Sequence, residues 1–374
     1  MAIYICLYLI VILAVLADGA YRRFVLIFIL FSMAMVGGLR YETGYDWLAY
    51  EINFDQINTK ITLIDSILDS SFEPLYFIFS YIVKSFGGSI QSIFLLSAIF
   101  YSFALYKLLV SIRVNLYVPL VLYIGFCYLL AYFIVVRYSL GISFFYIGLI
   151  YLFEGRRKFF ILMVLVGALF HFFVIFTLPL VLLKRFRLSF LSVIILSSVM
   201  IFAGFVIDVG EFFSLLSLID GDSFFSKFSS YSSGFSENIP FTVGLYILYN
   251  ILIAIGVSYG APRNSEVDVV SNVAIWLTIG LIASIIFGYQ IPSIWNRVML
   301  AAVPVQGMAL ALIIDRKSFL FKITIRTIVA SIAFSMLIFT LVKENSFFVP
   351  YESYFHKLLG ISSGVGRLRM EAEF

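Results

Sequence analysis

Five polar side chains that could do chemistry lie beside or within apolar sequence: Arg40, Asp46, Arg137, His171 and Arg297. Arginine carries a permanent positive charge on a planar set of donors, which suits phosphate groups. A carboxylate or an imidazole can accept a proton from a hydroxyl group, and histidine titrates near neutral pH. If the fold collects these side chains on one side, they predict a site for an anionic, hydroxyl-rich substrate.

Arg40 and Asp46 belong to the segment GGLRYETGYDWLAYEINF at 37–54. Tyr50 and the other aromatic residues of this segment offer flat faces on which sugar rings can stack. The alternative is an interfacial aromatic belt that includes an ordinary Arg–Asp pair. The spacing alone does not decide between these interpretations.

Arg137 follows eight apolar or aromatic residues. A charge at mid-bilayer depth costs about 2.5–3.5 kcal/mol, so its retention indicates pairing or function. The alternative is that Arg137 marks an outer turn, although Gly, Pro and Asn do not flank it. His171, in ALFHFFVIF, is either a general base or a hydrogen-bonded packing residue. Arg297 is predicted to open a helix after Pro292 and Trp295, and it either binds an anion or snorkels to the interface.

Two further segments carry weaker candidates. Glu73 precedes Pro74, a pattern that can also simply start a helix. The late segment FFVPYESYFHKLLG at 347–360 contains Tyr351 and Glu352, and it is predicted to return to the outer face over the site. These residues could contact a saccharide or close over it.

The composition indicates the kind of fold that must position these residues. Of 374 residues, 63% are hydrophobic and only 12% are charged, about half the charged fraction of a soluble domain, which is roughly 25%. Apolar runs recur that are long enough to cross a hydrocarbon core as helices. The sequence therefore predicts an all-α, polytopic integral membrane protein, a single transmembrane domain over 1–374.

We expect about 10–14 membrane helices. The predicted segments are 2–17, 23–39, 75–86, 90–106, 117–136, 138–153, 159–183, 188–208, 240–259, 269–289, 298–314 and 323–342. Between them lie the loops 40–72 and 209–239, and a tail follows from 343 to 374. Its last residues, 366–374, are predicted to be an appendage without a function.

The positive-inside rule orients these segments. Basic clusters at 22–23, 156–158, 184–187 and 316–317 are predicted to be cytoplasmic. The loops 40–72 and 209–239 are acidic with few Lys or Arg, which indicates the outer face. The five candidate residues of the opening paragraph then all map to the outer side.

Two places conflict with simple alternation. The clusters at 156–158 and 184–187 both favour the inside, yet only 159–183 separates them. A helical hairpin that turns near His171 resolves this conflict and brings His171 to the level of Arg137. A straight span with basic residues at both ends is the alternative. The second conflict lies in 73–106, which follows an acidic outer loop and ends at the basic residues Lys107 and Arg113, so an odd number of crossings is needed. It is resolved if 75–86 is interfacial or re-entrant.

Other classes of site are not indicated. No nucleotide-binding or zinc-type motif is present, and no acidic ligand set in the outer loops demands a metal. We therefore expect neither a metal nor another cofactor. Cys6 and Cys127 are expected to be core residues. The N-terminus lacks the basic region of a signal peptide. The net charge of +4 gives no indication of a nucleic-acid partner.

Several segments together resemble a known family. They are GLRYETGYDWLAY, Glu73-Pro74 before an apolar helix, the Arg137 run, ALFHFFVIFTLPL and VPYESYF. Their order and spacing resemble the EpsG-like branch of Wzy-type polysaccharide (O-antigen) polymerases, over about residues 37 to 355. The chain lacks the long, strongly basic outer loops of some other Wzy branches.

The resemblance implies an inverting, integral-membrane glycosyltransferase of the GT-C type in the bacterial inner membrane. Such an enzyme joins undecaprenyl-pyrophosphate-linked oligosaccharide repeat units on the periplasmic face. A chain-length regulator and a flippase are the further partners that it implies. An O-antigen ligase, a flippase for lipid-linked oligosaccharides and a secondary transporter are the alternatives.

The hypothesis for the site follows from this reaction. Arg137 and Arg297 bind the pyrophosphate, and Arg40 assists them or binds the acceptor lipid. His171 or Asp46 is the general base. Contact with the saccharide is assigned to Tyr50, Glu73, Tyr351 and Glu352, and the segments 209–239 and 347–360 are expected to close over it.

Overall fold

The computed structural model describes residues 1–16, 22–59, 67, 70, 72–206, 241–260, 265–288 and 292–368. The predicted outer loop 209–239 therefore lies outside the described residues. Within them the fold is all-α, and extended pairing is limited to one bridge between Arg40 and Ser353. The chain divides into two compact units, Met1–Val181 with Lys317–Phe374, and Leu182–Arg316. The sequence does not predict this division, because the short basic loops near its boundaries resemble other loops of the chain.

The first unit contains most of the helices. They are α1 (Ala2–Leu16), α2 (Arg22–Gly38), α3 (Trp47–Gln56), α4 (Pro74–Ser85), α5 (Ile90–Val110), α6 (Tyr117–Phe126), a π-helix (Leu130–Ile134), α7 (Val136–Phe153), α8 (Arg157–Phe170), a 3-10 helix (Phe172–Thr177), α14 (Phe319–Lys343), α15 (Asn345–Phe348) and α16 (Tyr354–Leu358). The α5 helix packs between α2 and α7, α8 packs on α7, and α14 packs on α6.

The described residues of the second unit include four long apolar helices. After the short α9 (Leu180–Leu183) at the boundary come α10 (Phe190–Val206), α11 (Phe241–Gly260), α12 (Ser265–Gly288) and α13 (Pro292–Ile314). Gln306 Nε2 donates hydrogen bonds to Asn250 Oδ1 and Thr278 Oγ1, both at 2.9 Å. These three buried side chains join α11, α12 and α13, a form of interhelical bonding that is common in lipid.

Six helices of the described chain are long and apolar enough to cross a membrane. They begin at residues 90, 136, 243, 268, 293 and 319, and five shorter apolar helices accompany them. Large apolar side chains such as Phe24, Phe202 and Val342 are 60–70% exposed on the protein, as a surface in contact with lipid requires. The prediction of an all-α, polytopic membrane protein is confirmed.

Three predicted boundaries are wrong. The loop 40–72 contains the helix α3, because Trp47, Tyr50 and Phe54 bury one face of it. The predicted helix 117–136 breaks after Phe126. Arg297 does not open its helix, because α13 already begins at Pro292.

The break before Arg137 has a local physical basis. Val135 leaves the helical conformation, with φ −101° and ψ 61°. The backbone carbonyls that lose their helical partners need other donors, and Ser139 Oγ donates to the carbonyl of Ala131 at 2.5 Å. Arg137 thus becomes the second residue of a new helix, as the alternative interpretation of a turn between helices had proposed.

Candidate functional site

Two glycines bring Arg137 and His171 to the same end of a helix pair. Gly141 of α7 and Gly167 of α8 face each other so closely that a Cβ on Gly167 would lie 2.6 Å from the carbonyl oxygen of Gly141. Such small residues allow two membrane helices to approach at the backbone. Arg137 lies one turn before Gly141, and His171 lies one turn after Gly167. Because α7 and α8 form an antiparallel pair with the turn at 154–156, the two side chains share one end.

The helix break at His171 agrees with the predicted hairpin. α8 ends at Phe170, and His171 has an extended backbone with φ −160° and ψ 114°. The 3-10 helix that follows packs back on α8, since Val174 lies beside Gly167. At about 1.5 Å per residue, the 14 residues of α8 span roughly 21 Å, less than a bilayer core of about 30 Å.

Arg137 is held by a carboxylate and an aromatic ring. Its Nη1 donates to Glu73 Oε2 at 2.7 Å, and the two side chains are only 24% and 21% exposed. The guanidinium also stacks 4.1 Å from the ring centre of Phe72. Glu73 comes from the residue just before α4, where it makes no side-chain capping bond to that helix. Its carboxylate is therefore available to the arginine.

His171 completes this cluster. Its Nδ1 accepts a hydrogen bond from the backbone N–H of Phe173 at 3.2 Å and lies 4.0 Å from Glu73 Oε1. A nitrogen that accepts a backbone N–H holds a lone pair, so the contact with Glu73 is not a salt bridge in this arrangement. The edge of the imidazole meets Tyr138, with the ring centres 5.2 Å apart. We call Arg137, Glu73 and His171 the polar cluster.

Tyr50 connects α3 to the polar cluster. Its ring packs within about 6 Å of those of Phe72 and Tyr76. Burial raises the pKa of Tyr50, as does the negative charge of Asp46, whereas the Arg137 cation and its hydrogen bonding lower it. Asp46 itself lies at the start of α3 with an exposed side chain. The structure thus relates both Asp46 and Arg137 to Tyr50.

The prediction that Arg40 binds a pyrophosphate does not fit its position. Its side chain is 1% exposed. Its Nη1 donates to the carbonyls of Gly37, at 3.1 Å, and Tyr132. The guanidinium stacks 4.2 Å from the ring centre of Phe94. Arg40 thus joins the end of α2 to α5 and the π-helix, and a ligand cannot reach it in this conformation.

The tail does return to the first loop, but Tyr351 and Glu352 form hydrogen bonds there that hold the tail in place. The backbone N–H of Tyr41 donates to the carbonyl of Glu352 at 2.8 Å, next to the bridge of Arg40 with Ser353. The hydroxyl of Tyr351 donates to the carbonyl of Val36 at 2.9 Å. Because these groups are engaged in packing the tail, their predicted contact with a saccharide is not supported.

The carboxylate of Glu352 is bonded within the tail. It accepts hydrogen bonds from Ser362 Oγ at 2.5 Å and from the backbone N–H of Ser363 at 3.0 Å. Burial opposes its ionisation, but these hydrogen bonds outweigh burial and lower the pKa of Glu352. Beyond it, Arg367 pairs with Glu51 at 2.6 Å and Glu42 at 3.2 Å. Residue 367 of the predicted appendage therefore contacts the first loop, and 369–374 lie outside the described residues.

Arg297 belongs to the second unit. It lies in the second turn of α13, near Trp295, whose ring packs 5.5 Å from that of Tyr246. Its side chain is partly buried. Its predicted role in binding a phosphate stays a prediction.

Sequence patterns indicate only weakly that Glu73 belongs to the polar cluster, and they do not indicate the two aromatic residues that pack against it, Phe72 and Tyr138. Glu73 was a weak candidate, and Phe72 and Tyr138 were not candidates. A signal for Glu73 exists, because a cation in apolar sequence needs a carboxylate nearby and Glu73 is itself followed by an apolar helix. Phe72 and Tyr138 cannot be picked out from the sequence, because aromatic residues occur throughout it and also flank these two positions.

The fold and the polar cluster define a polytopic membrane protein with a charged site at one end of a helix pair. Comparison with known families makes this more specific, because the EpsG family matches residues 1–353. The chain therefore belongs to the EpsG family, and it is a membrane protein of polysaccharide biosynthesis. Neither a curated protein nor a solved structure gives a significant match.

Proposed function

We propose that this protein is a polysaccharide polymerase. It joins undecaprenyl-pyrophosphate-linked oligosaccharide repeat units by inverting glycosyl transfer on the periplasmic face of the bacterial inner membrane. The observation that carries this proposal is the polar cluster, in which Arg137, Glu73 and His171 meet at one end of the helix pair α7–α8. Membership of the EpsG family supports the same class of reaction.

The position of the polar cluster supports the outer face. The turn between α7 and α8 carries Arg156, Arg157 and Lys158, which the positive-inside rule assigns to the cytoplasm. The cluster lies at the opposite ends of both helices. A flipped, lipid-linked donor would present its pyrophosphate at this level, beside the hydrocarbon core that holds its polyprenyl chain.

The chemistry needs a charge partner for the leaving group. When the bond between the sugar and the pyrophosphate breaks, negative charge grows on the departing oxygen, and a fixed cation in a site of low dielectric stabilises it. Arg137 supplies this cation, and Phe72 and Glu73 hold it in place. A donor pyrophosphate would compete with Glu73 for hydrogen bonds that Arg137 donates.

The acceptor hydroxyl needs a proton acceptor within hydrogen-bond reach. The polar cluster offers His171 and Glu73 for this role. Asp46 is less suited to it, because its side chain is exposed at the start of α3.

The surface glycans of a strain that lacks this gene test the proposed function. A polymerase defect removes the ladder of repeats and leaves single repeat units attached to their acceptor. A ligase defect leaves long polymer on the lipid carrier, and a flippase defect leaves single units facing the cytoplasm. A ladder that persists in the deletion strain contradicts the proposal, and return of the ladder on expression of the wild-type gene is the control.

A further inference from the structure

We propose that Glu73 is the general base of the transfer and that His171 is a hydrogen-bond donor to the leaving pyrophosphate. This inference rests on the proposed polymerase function and reverses the role that the sequence suggests for His171. It follows from the directions of the hydrogen bonds in the polar cluster.

The imidazole of His171 has its accepting nitrogen occupied. Nδ1 takes the backbone N–H of Phe173 at 3.2 Å. A neutral imidazole has one accepting and one donating nitrogen, so Nε2 carries the proton. The ring is 9% exposed and packs edge-on against Tyr138, which fixes its orientation. In this arrangement His171 offers a donor at Nε2, which suits a phosphate oxygen and does not suit the removal of a proton.

Glu73, in contrast, is suited to accepting a proton. An ionised carboxylate can accept about four hydrogen bonds, and Arg137 supplies one at Oε2. The second oxygen, Oε1, faces the imidazole at 4.0 Å, beyond hydrogen-bond distance. The side chain keeps 21% of its surface exposed, so an incoming hydroxyl can approach it.

The chain positions Glu73 firmly for this purpose. Pro74 begins α4 directly after it and the backbone of Glu73 is extended, with φ −61° and ψ 146°. The backbone carbonyl of Glu73 accepts the N–H of Phe77 at 3.0 Å, which attaches the residue to the first turn of α4. Its side chain makes no capping bond there. The carboxylate is thus held on a rigid backbone and directed at Arg137.

The reaction balances with these groups alone. The acceptor hydroxyl gives its proton to a Glu73 carboxylate oxygen while its own oxygen forms the new bond to the anomeric carbon of the donor sugar. The bond from that carbon to the pyrophosphate oxygen breaks, and its electron pair leaves with undecaprenyl pyrophosphate. Arg137 and His171 Nε2–H bind this leaving group. Glu73 then returns the proton to solvent.

Kinetic comparison of matched variants tests this assignment. The substrate is the single lipid-linked repeat unit that accumulates in the deletion strain, added to purified protein in detergent. Glu73→Gln keeps the size of the side chain and an acceptor for Arg137 but cannot take a proton. We expect kcat to fall about 10²–10⁴-fold, the range for loss of a general base, with KM within about threefold of wild type.

The matched variant at the other position is His171→Gln, whose amide keeps a donor. We expect it to raise KM and to lower kcat by less than about tenfold, because loss of one neutral hydrogen bond is a smaller effect than loss of the base. Glu73→Ala is expected to regain turnover with added sodium formate, relative to sodium chloride of equal ionic strength. A carboxylate that only supports the fold would not be replaced by formate in this way.

The possible outcomes distinguish a failure of the proposed polymerase function from a failure of the roles assigned to Glu73 and His171. If wild-type protein does not extend the repeat unit while the deletion strain shows a defect of another class, the polymerase function itself fails. If wild-type protein extends chains and Glu73→Gln keeps its kcat, or His171→Gln loses activity as a missing base would, only the assignment of Glu73 is overturned. Elution of each variant as wild type on size exclusion is the control for folding.

Discussion

Substitution of Gly167 by alanine should damage the polar cluster without removing any of its groups. The added Cβ would lie 2.6 Å from the carbonyl oxygen of Gly141, and ordinary contact begins at 3.4 Å, so α7 and α8 must separate by 3.4 − 2.6 = 0.8 Å. The atom opposed is a backbone atom, so a change of rotamer cannot relieve the overlap. The backbone N–H of His171 donates to the carbonyl of Gly167 at 3.0 Å, which transmits the shift to the imidazole.

The expected loss follows from this distance. A misplacement of about 1 Å between reacting groups can cost about 10²-fold in rate. We therefore expect Gly167→Ala to lower chain extension on the order of 10²-fold. The free energy of unfolding should fall by less than the overlap alone would cause, since alanine in place of glycine favours a helix by about 1 kcal/mol and offsets part of the strain.

The assay measures extension of lipid-linked repeat units by purified protein, with thermal unfolding in the same detergent. Gly256→Ala is the matched control, because this glycine also lies in a long apolar helix and an added Cβ there meets no atom within 4 Å. Activity of Gly167→Ala equal to that of the control would refute the close approach of α7 and α8 as the feature that aligns Arg137 with His171.

Two further predictions concern the segments around the cluster. Lys84 Nζ donates to the carbonyls of Phe54 and Asp55 at 2.7 and 2.8 Å, at the end of α3. Lys84→Met should therefore lower the free energy of unfolding by about 1–2 kcal/mol in thermal or denaturant unfolding, and Lys84→Arg should lower it less. The lowered pKa of Glu352 means that its carboxylate stabilises the tail above the ordinary value of 4.5 and that this contribution is lost as pH falls below it. The Tyr354 amide donates to the carbonyl of Leu39, and its protection factor, the ratio of the intrinsic to the observed rate of hydrogen exchange, should fall below that pH in the wild type. In Glu352→Gln the protection factor at neutral pH should already be lower than in the wild type, and it should fall less than the wild-type value as pH is lowered through this range.

The sequence predicted the meeting of Arg137 and His171 from the hairpin interpretation of 159–183, to which a straight span was the alternative. Basic clusters at 156–158 and 184–187 both favour the cytoplasm, and only a turn near His171 satisfies both. The structure shows the turn, and it also shows the glycine contact that makes the helices approach so closely. This contact was not predicted, because a single glycine in an apolar helix has many possible neighbours.

The roles of Arg40 and Glu73 show what sequence patterns miss. Arg40 lies six residues from Asp46, which suggested either a substrate site or an Arg–Asp pair in an interfacial aromatic belt. Yet Gly37, at the end of α2, and Phe94, on α5, bind the guanidinium in the interior. Glu73 and Arg137 are 64 residues apart, and only tertiary packing brings them to 2.7 Å. Local spacing cannot reveal which of several carboxylates a buried cation selects.

The most direct test of the central claim is chain extension by purified protein with changes at Arg137 alone. Wild-type protein should convert the single lipid-linked repeat unit into a ladder and release undecaprenyl pyrophosphate. Arg137→Ala should lower this rate by about 10²–10³-fold, as expected for a lost charge contact to a leaving group, while Arg137→Lys retains part of it. A ladder formed by Arg137→Ala at the wild-type rate would contradict the claim that the polar cluster is the site of polymerisation.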